Sequence, residues 1–150
     1  MLRYQLYECN GNKVSLKKEI AYLKDYISVQ QLRKNKNLQL QFEITGNERD
    51  TLIEPLLLIP LVENAFKHLS NFDNGKKDII NISVDAEKDN LVFTVENTIS
   101  TNAVEIMQNE SGIGLNNIRR RLELLYPGKH RLNITNNGEC FKTQLEIELN

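Results

Sequence analysis

The chain has 150 residues, 40% of them hydrophobic, and its 19 basic and 20 acidic side chains leave a net charge of -1. That apolar content suffices for one globular domain with a sizeable core and excludes an intrinsically disordered chain. Interspersed charge near neutrality excludes a broad nucleic-acid surface, leaves only a local basic patch at Arg119, Arg120 and Arg121, and points to a small anion as partner.

Residues 1–9 read as the tail of a helix, with Leu2, Leu6 and Cys9 on one face, no capping residue before them and no apolar signal segment. The expectation is a chain that belongs to a larger protein. After the turn signal Asn10-Gly11-Asn12, Ser15 is placed to N-cap a long helix reaching to about Arg33, with Leu16, Ile20, Leu23 and Ile27 at helical spacing. That stripe suits either packing within the domain or the base of a dimerising helical hairpin. Leu38, Leu40, Phe42 and Ile44 alternate as a first strand, closed by Gly46-Asn47, and a helix from Pro55 follows. Pro60 should bend that helix or mark an adjustment in its first turn. The longest apolar run, Leu56 to Val62, contains this proline and is far short of a membrane span, so the chain reads as soluble.

Beyond Asn74-Gly75, Ile80, Ile82, Val84 and Ala86 alternate, the stretch Glu87-Lys88-Asp89-Asn90 turns the chain, and Leu91, Phe93 and Val95 alternate in return, which predicts an antiparallel hairpin. Residues 98–111 lack apolar periodicity and read as a mobile loop. A basic amphipathic helix to about Tyr126 comes next, then a hairpin with Leu132 and Ile134, the turn Asn136-Asn137-Gly138, and Phe141, Thr143, Leu145, Ile147 and Leu149. Cys9 and Cys140 form no Cys-x-x-Cys pair, so neither a disulfide framework nor a zinc site is expected, and a reducing cytosol fits them best. Adjacent strands with helices gathered on one face predict an α+β two-layer sandwich with a mixed, largely antiparallel sheet.

Two segments carry chemistry. In the helix over residues 55–68, at about 100° per residue, Glu63, Asn64, Lys67 and His68 fall within an arc of roughly 140° while Leu58, Leu61, Val62, Ala65, Phe66 and Leu69 fill most of the rest. An acid, an amide, an ammonium and an imidazole together suit a metal–phosphate ligand on a cleft wall, and the same pattern also suits an ordinary solvated polar stripe. Downstream, Ser111-Gly112-Ile113-Gly114-Leu115 reads as a glycine-rich turn feeding the basic helix, where free N–H groups and the positive end of the helix dipole favour phosphate.

At these residues the sequence resembles the ATP-binding catalytic domain of sensor histidine kinases, specifically the LytS-like branch that signals to LytTR response regulators. Pro60-Leu61-Val62-Glu63-Asn64-Ala65-Phe66-Lys67-His68 is similar to that family's N box, and Gly112-Ile113-Gly114-Leu115-Asn116-Asn117-Ile118 with Arg121-Leu122 is similar to its G2 box and the helix after it. The resemblance covers nearly the whole chain and implies the Bergerat fold shared by gyrase, heat-shock chaperone, histidine kinase and MutL, with ATP between the helical layer and a flexible lid. It implies a remnant of the helical dimerisation region at residues 1–33 and the catalytic domain at residues 34–150.

It further implies Mg²⁺ on Asn64, Glu63 orienting or deprotonating a reacting group through water, Lys67 and His68 at phosphate oxygens, and Gly112, Ile113, Gly114, Leu115, Asn116 and Arg121 at the nucleotide. His68 belongs to the N box, and the resemblance puts the phosphoacceptor histidine on a separate upstream helix. His130, beside Pro127-Gly128-Lys129, reads as a surface residue. Val95-Glu96-Asn97-Thr98 stands where the family has its G1 box, whose aspartate accepts a hydrogen bond from the adenine amino group. The candidates here are Glu96, one methylene longer, and Asn97, with Glu96 as a surface acid the other reading. Implied partners are ATP, the protein's own phosphoacceptor domain, a LytTR-type response regulator and a second copy in a homodimer, in a membrane-tethered parent with this domain in the cytoplasm. The rival readings are a degenerate, non-catalytic nucleotide-sensing or docking module, an ATPase of the same superfamily, and an anti-sigma-factor serine kinase.

Overall fold

The computed structural model describes residues 12–34, 37–47, 50–70, 72, 75–100 and 103–149, the side chains of 103–113 excepted. The readings for residues 1–9, for Asn10-Gly11 and for Asn74 lie outside them. Period-two alternation produces the sheet. Strands β2 (Leu38–Gly46), β4 (Asp78–Glu87), β5 (Asn90–Thr98), β6 (His130–Asn136) and β7 (Cys140–Glu148) form five strands in the order β2-β4-β5-β7-β6. The pair β2–β4 is parallel and the other three pairs are antiparallel, which is the expected mixed sheet. Helix α1 (Leu16–Arg33), α2 (Ile59–Lys67) and α3 (Ala103–Leu125) contribute to one core with the inward residues of β4, β5 and β7. A small antiparallel pair, β1 (Val14–Ser15) with β3 (Leu52–Ile53), is too short to show as alternation in the sequence.

Ser15 caps α1 as expected, its hydroxyl accepting from the Lys18 N–H at 3.3 Å. Leu16, Ile20, Leu23 and Ile27 are buried in the common core, so the apolar stripe of α1 packs within the domain, and the core has no break at residue 33. On the same helix Tyr26 meets Phe66 of α2 edge to face, with ring centroids 5.9 Å apart.

Two elements differ from the sequence reading. Helix α2 begins at Ile59 rather than Pro55, with Pro60 in its first turn, where a missing N–H costs nothing. Ahead of it Leu56 sits at φ 56°, a left-handed conformation that no helix tolerates. The loop expected over residues 98–111, and the glycine turn after it, give way to helix from Ala103 onward. Residues 103–110, Ala-Val-Glu-Ile-Met-Gln-Asn-Glu, include strong helix formers, and a glycine inside a helix costs only about 1 kcal/mol.

Gly46 ends β2 at φ +88°, and a Cβ there would lie 2.0 Å from the Ala86 carbonyl oxygen, which accepts from the Asn47 N–H at 2.9 Å. Neither the dihedral nor the space admits a side chain. Gly46→Ala is expected to lower stability by on the order of 2 kcal/mol in urea unfolding, and a loss under about 0.5 kcal/mol would contradict this packing. Burial, and after it the Glu63 carboxylate, push the Tyr26 phenol from 10.0 up to about 12. The folded state therefore favours the neutral phenol. That contribution is complete below pH 10 and fades as pH rises through 10 to about 12. Tyr26→Phe is expected to flatten the alkaline loss of stability over this window, leaving the share of Tyr126, whose phenol burial also raises. Identical slopes in the two proteins would show that Tyr26 carries none of it.

Candidate functional site

Helix α2 is nine residues long and mostly buried: Ile59, Leu61, Val62, Ala65 and Phe66 face the core. A helix this short is unstable alone, so its position is set by what it packs on, namely β5, α1 and α3. Its accessible stripe consists of Pro60, Glu63, Asn64 and Lys67. The predicted polar arc therefore keeps three of its four members. His68 departs from it, because the helix ends at Lys67 and His68, as the C-cap with its N–H donating to the Asn64 carbonyl at 3.1 Å, is 7% exposed. Partial burial lifts the Glu63 carboxyl above its ordinary range, which makes it readier to take a proton at neutral pH.

At the end of β5, strand parity separates the two adenine candidates. Phe93, Val95 and Asn97 turn inward, Asn97 to 2% exposure, while Thr94 and Glu96 turn to the opposite face. Glu96 lies between Asn81 and Lys142 on the neighbouring strands, away from the helices. Glu96 therefore stands on the outer face of the sheet, while Asn97 is on the inner face, where its Nδ2 donates to the Thr98 carbonyl at 3.2 Å. The alternation of Leu91, Phe93 and Val95, extended by one step, turns Asn97 inward.

On α3, Leu115, Ile118 and Leu122 are buried, whereas Gly114, Asn116, Asn117, Arg119 and Arg120 are exposed. Leu115 is thus a core residue by its side chain. The segment 112–115 lies inside a helix rather than at its start, so the expected N-terminal anion cradle is not formed in this conformation. Gly114 has no packing reason to be glycine: a Cβ there would meet nothing within 4 Å. Arg121, expected at the nucleotide, donates instead through both terminal nitrogens to the carbonyls of Pro55 and Leu56. The same loop receives two further contacts. The Leu56 N–H donates to Oε1 of Glu19, which is fully buried on α1, and the Glu54 N–H donates to the Tyr126 hydroxyl at 3.0 Å.

The exit of α2 is fastened as well. The Ser70 hydroxyl donates to the Asp78 carboxylate at 2.7 Å and accepts from Thr98 Oγ1 at 2.6 Å, while Thr98 Oγ1 accepts from the Ile79 N–H at 3.0 Å. The Ser70 N–H also donates to the Thr98 carbonyl at 2.8 Å, which ties this segment to the strand end that carries Asn97. His130 is less exposed than expected. Its Nδ1 donates to the Tyr126 carbonyl at 2.7 Å, and Nε2 lies 3.5 Å from Glu123.

Among the described residues no cluster of three or more His, Cys, Asp or Glu side chains could hold a metal. The adjacent carboxylate of Glu63 and amide of Asn64 suit a hard cation that keeps most of its waters and takes its other ligands from phosphate oxygens. Concavities of about 520 Å³ and 260 Å³ open beside outward residues such as Asp85, Val92, Glu96 and Glu146, and no residue of α2 lines either. No helix among the described residues is long and apolar enough to cross a membrane.

Residues 1–38 match a sequence-family model for histidine kinases. Over 119 residues the chain is 28% identical to the sensor protein kinase HptS of Staphylococcus aureus (strain USA300), covering 79% of this chain and 20% of HptS. It thus spans about a fifth of the length of the curated relatives it matches. Among solved structures it is similar to the catalytic domain of histidine kinase ThkA, with a TM-score of 0.65 at 18% identity over 91% of this chain and 94% of that one. The Acinetobacter baumannii histidine kinase AdeS superposes with a TM-score of 0.63 at 15% identity, covering 99% of this chain and 72% of that one. At such identities the likeness speaks for architecture: a mixed five-stranded sheet layered with helices, the fold of a histidine kinase catalytic domain.

Proposed function

We propose that this chain is the Mg·ATP-binding catalytic domain of a sensor histidine kinase of the LytS-like branch, which donates the γ-phosphoryl group to a histidine on an upstream helix. The observation that carries this reading is the accessible stripe Glu63, Asn64 and Lys67 on an otherwise buried α2. Asn64 would hold Mg²⁺, and the bound cation would supply neutralisation of the phosphate charge. Lys67 adds positive charge one turn along, and Glu63, its carboxyl raised by burial, orients or accepts a proton from the attacking group. Asn97, inward on β5, the strand on which α2 packs, offers an acceptor and a donor to the base. The intact protein would be a membrane-tethered homodimer that passes the phosphoryl group to a LytTR-type response regulator, with this domain in the cytoplasm.

Gly114 supports a lid over the nucleotide. Glycine weakens a helix and here fills no close contact, so its use lies in a second conformation, in which its backbone approaches phosphate. In that conformation the N–H groups of Gly112, Ile113, Gly114, Leu115 and Asn116 would turn toward the anion.

One observation favours a second reading, a degenerate nucleotide-sensing or docking module. The inward residue at the end of β5 is the neutral Asn97 rather than a carboxylate, and the acid before it in sequence, Glu96, faces away. Titration calorimetry separates the two. The kinase reading expects Mg²⁺-dependent ATP binding that Asn64→Ala weakens by about tenfold or more, together with loss of the metal dependence. Unchanged affinity and metal dependence in that variant would favour the docking module. Gly114→Ala is expected to stabilise the chain by about 0.5–1 kcal/mol in thermal or urea unfolding while weakening Mg·ATP binding. Higher stability with unaltered nucleotide affinity would remove the lid role.

A further inference from the structure

The loop that leads into α2 is held in an unfavourable shape by side chains from two other helices. Leu56 is the described non-glycine residue with a positive φ, at 56°, and a bulky residue resists that conformation. Both polar atoms of its backbone are engaged from outside the loop. Its N–H donates to Glu19 of α1, and its carbonyl, with that of Pro55, accepts from Arg121 of α3. One residue before Pro55, the Glu54 N–H is taken by Tyr126. Helix α2 begins three residues after Leu56 with no side-chain cap on its first turn, so its entry is held by these loop contacts and by packing.

We propose that Glu19 and Arg121 are positioning residues for the nucleotide site, together holding Leu56 left-handed and so fixing where α2 presents Glu63 and Asn64. The inference rests on the nucleotide-binding reading above and adds to it a mechanical link. A shift of α1 along its axis would move Glu19 relative to Leu56, and unwinding of α3 would move Arg121, so both helices act on the metal-binding residue through one turn of chain. Seven residues beyond Glu19, and hence on the same face of α1, Tyr26 touches Phe66, giving α1 a second grip near the far end of α2.

The test uses the 150-residue chain. Glu19→Leu removes the acceptor and is expected to weaken Mg·ATP binding by about tenfold, and Arg121→Met by a similar factor. Glu19→Gln keeps an acceptor oxygen and should stay within about threefold of the unaltered chain. The decisive arm is rescue: Leu56→Gly adopts a positive φ without help and should restore affinity in the Glu19→Leu and Arg121→Met backgrounds to within about threefold. A purely structural loss would not be repaired by a glycine that itself removes packing. Unchanged affinity in both single variants, or a loss that Leu56→Gly leaves in place, would overturn the proposal. If Glu19→Leu fails to fold, the Arg121→Met pair decides alone. Amide hydrogen exchange at Leu56 separates this proposal from the reading beneath it. No binding by the unaltered chain would sink the nucleotide reading, and the clamp would then stand on Leu56 exchange at least about tenfold faster in Glu19→Leu, and fall on equal rates.

Discussion

The left-handed turn at Leu56 is the constraint on which the candidate site depends. A leucine at φ 56° is disfavoured by roughly 1–2 kcal/mol, and α2, nine residues long, cannot hold such a neighbour in place by its own hydrogen bonds. The compensation comes from a buried carboxylate on α1, a guanidinium on α3 and a phenol just past the end of α3, all directed at residues 54–56. The bonds from Glu19 and Arg121 are charge-assisted and among the stronger ones available, and they engage the backbone of buried Pro55 and half-buried Leu56. The phenol of Tyr126 lies within electrostatic reach of Glu54, Arg121 and Glu19, so the elements meet at one polar node beside the core.

A second polar node closes the other end. Ser70, Asp78 and Thr98 exchange hydrogen bonds in which every hydroxyl both donates and accepts, and they join the exit of α2 to the strand end bearing Asn97. Fastened at entry and exit and seated on β5, α2 behaves as a rigid bracket. Its accessible residues are the ones whose chemistry suits a metal-bound phosphate. Preorganised charge on a rigid element is how phosphoryl-transfer sites act, because positioning and neutralisation supply most of the acceleration. Helix α3 stands apart from this rigidity, carrying a glycine at Gly114 that the helical packing does not require.

Elements governed by local periodicity were legible in the sequence. Alternation gave the inward faces of β4, β5 and β7, and Ser15 with the stripe from Leu16 to Ile27 gave α1 and its cap. The polar arc of α2 was legible because helical geometry alone orders Glu63, Asn64 and Lys67. What periodicity could not supply was the fate of groups answering to distant backbone. Arg121 looked like an anion ligand because its partners lie 65 and 66 residues away, and Glu19 passed unnoticed although an acid three residues after Leu16 falls on the buried face. The extent of α3 was misjudged for a different reason. Two glycines lower helix propensity by an amount that the helix formers before them outweigh, and the sum over the window decides rather than the most conspicuous residue. Glu96 was named from its place in a motif, and the parity of its strand turns it to the outer face of the sheet.

In the proposed site a divalent cation and a nucleotide share the polar stripe of α2. Replacing Mg²⁺ by paramagnetic Mn²⁺ in the presence of ATP tests it most directly, because nuclear relaxation falls so steeply with distance that only groups around the metal lose their signals. The Asn64 side-chain amide and the backbone amides of Glu63 and Asn64 are expected to broaden first, while the outer face of the sheet is spared. Broadening centred on Asp85, Glu87 and Glu146, with α2 unaffected, would contradict it.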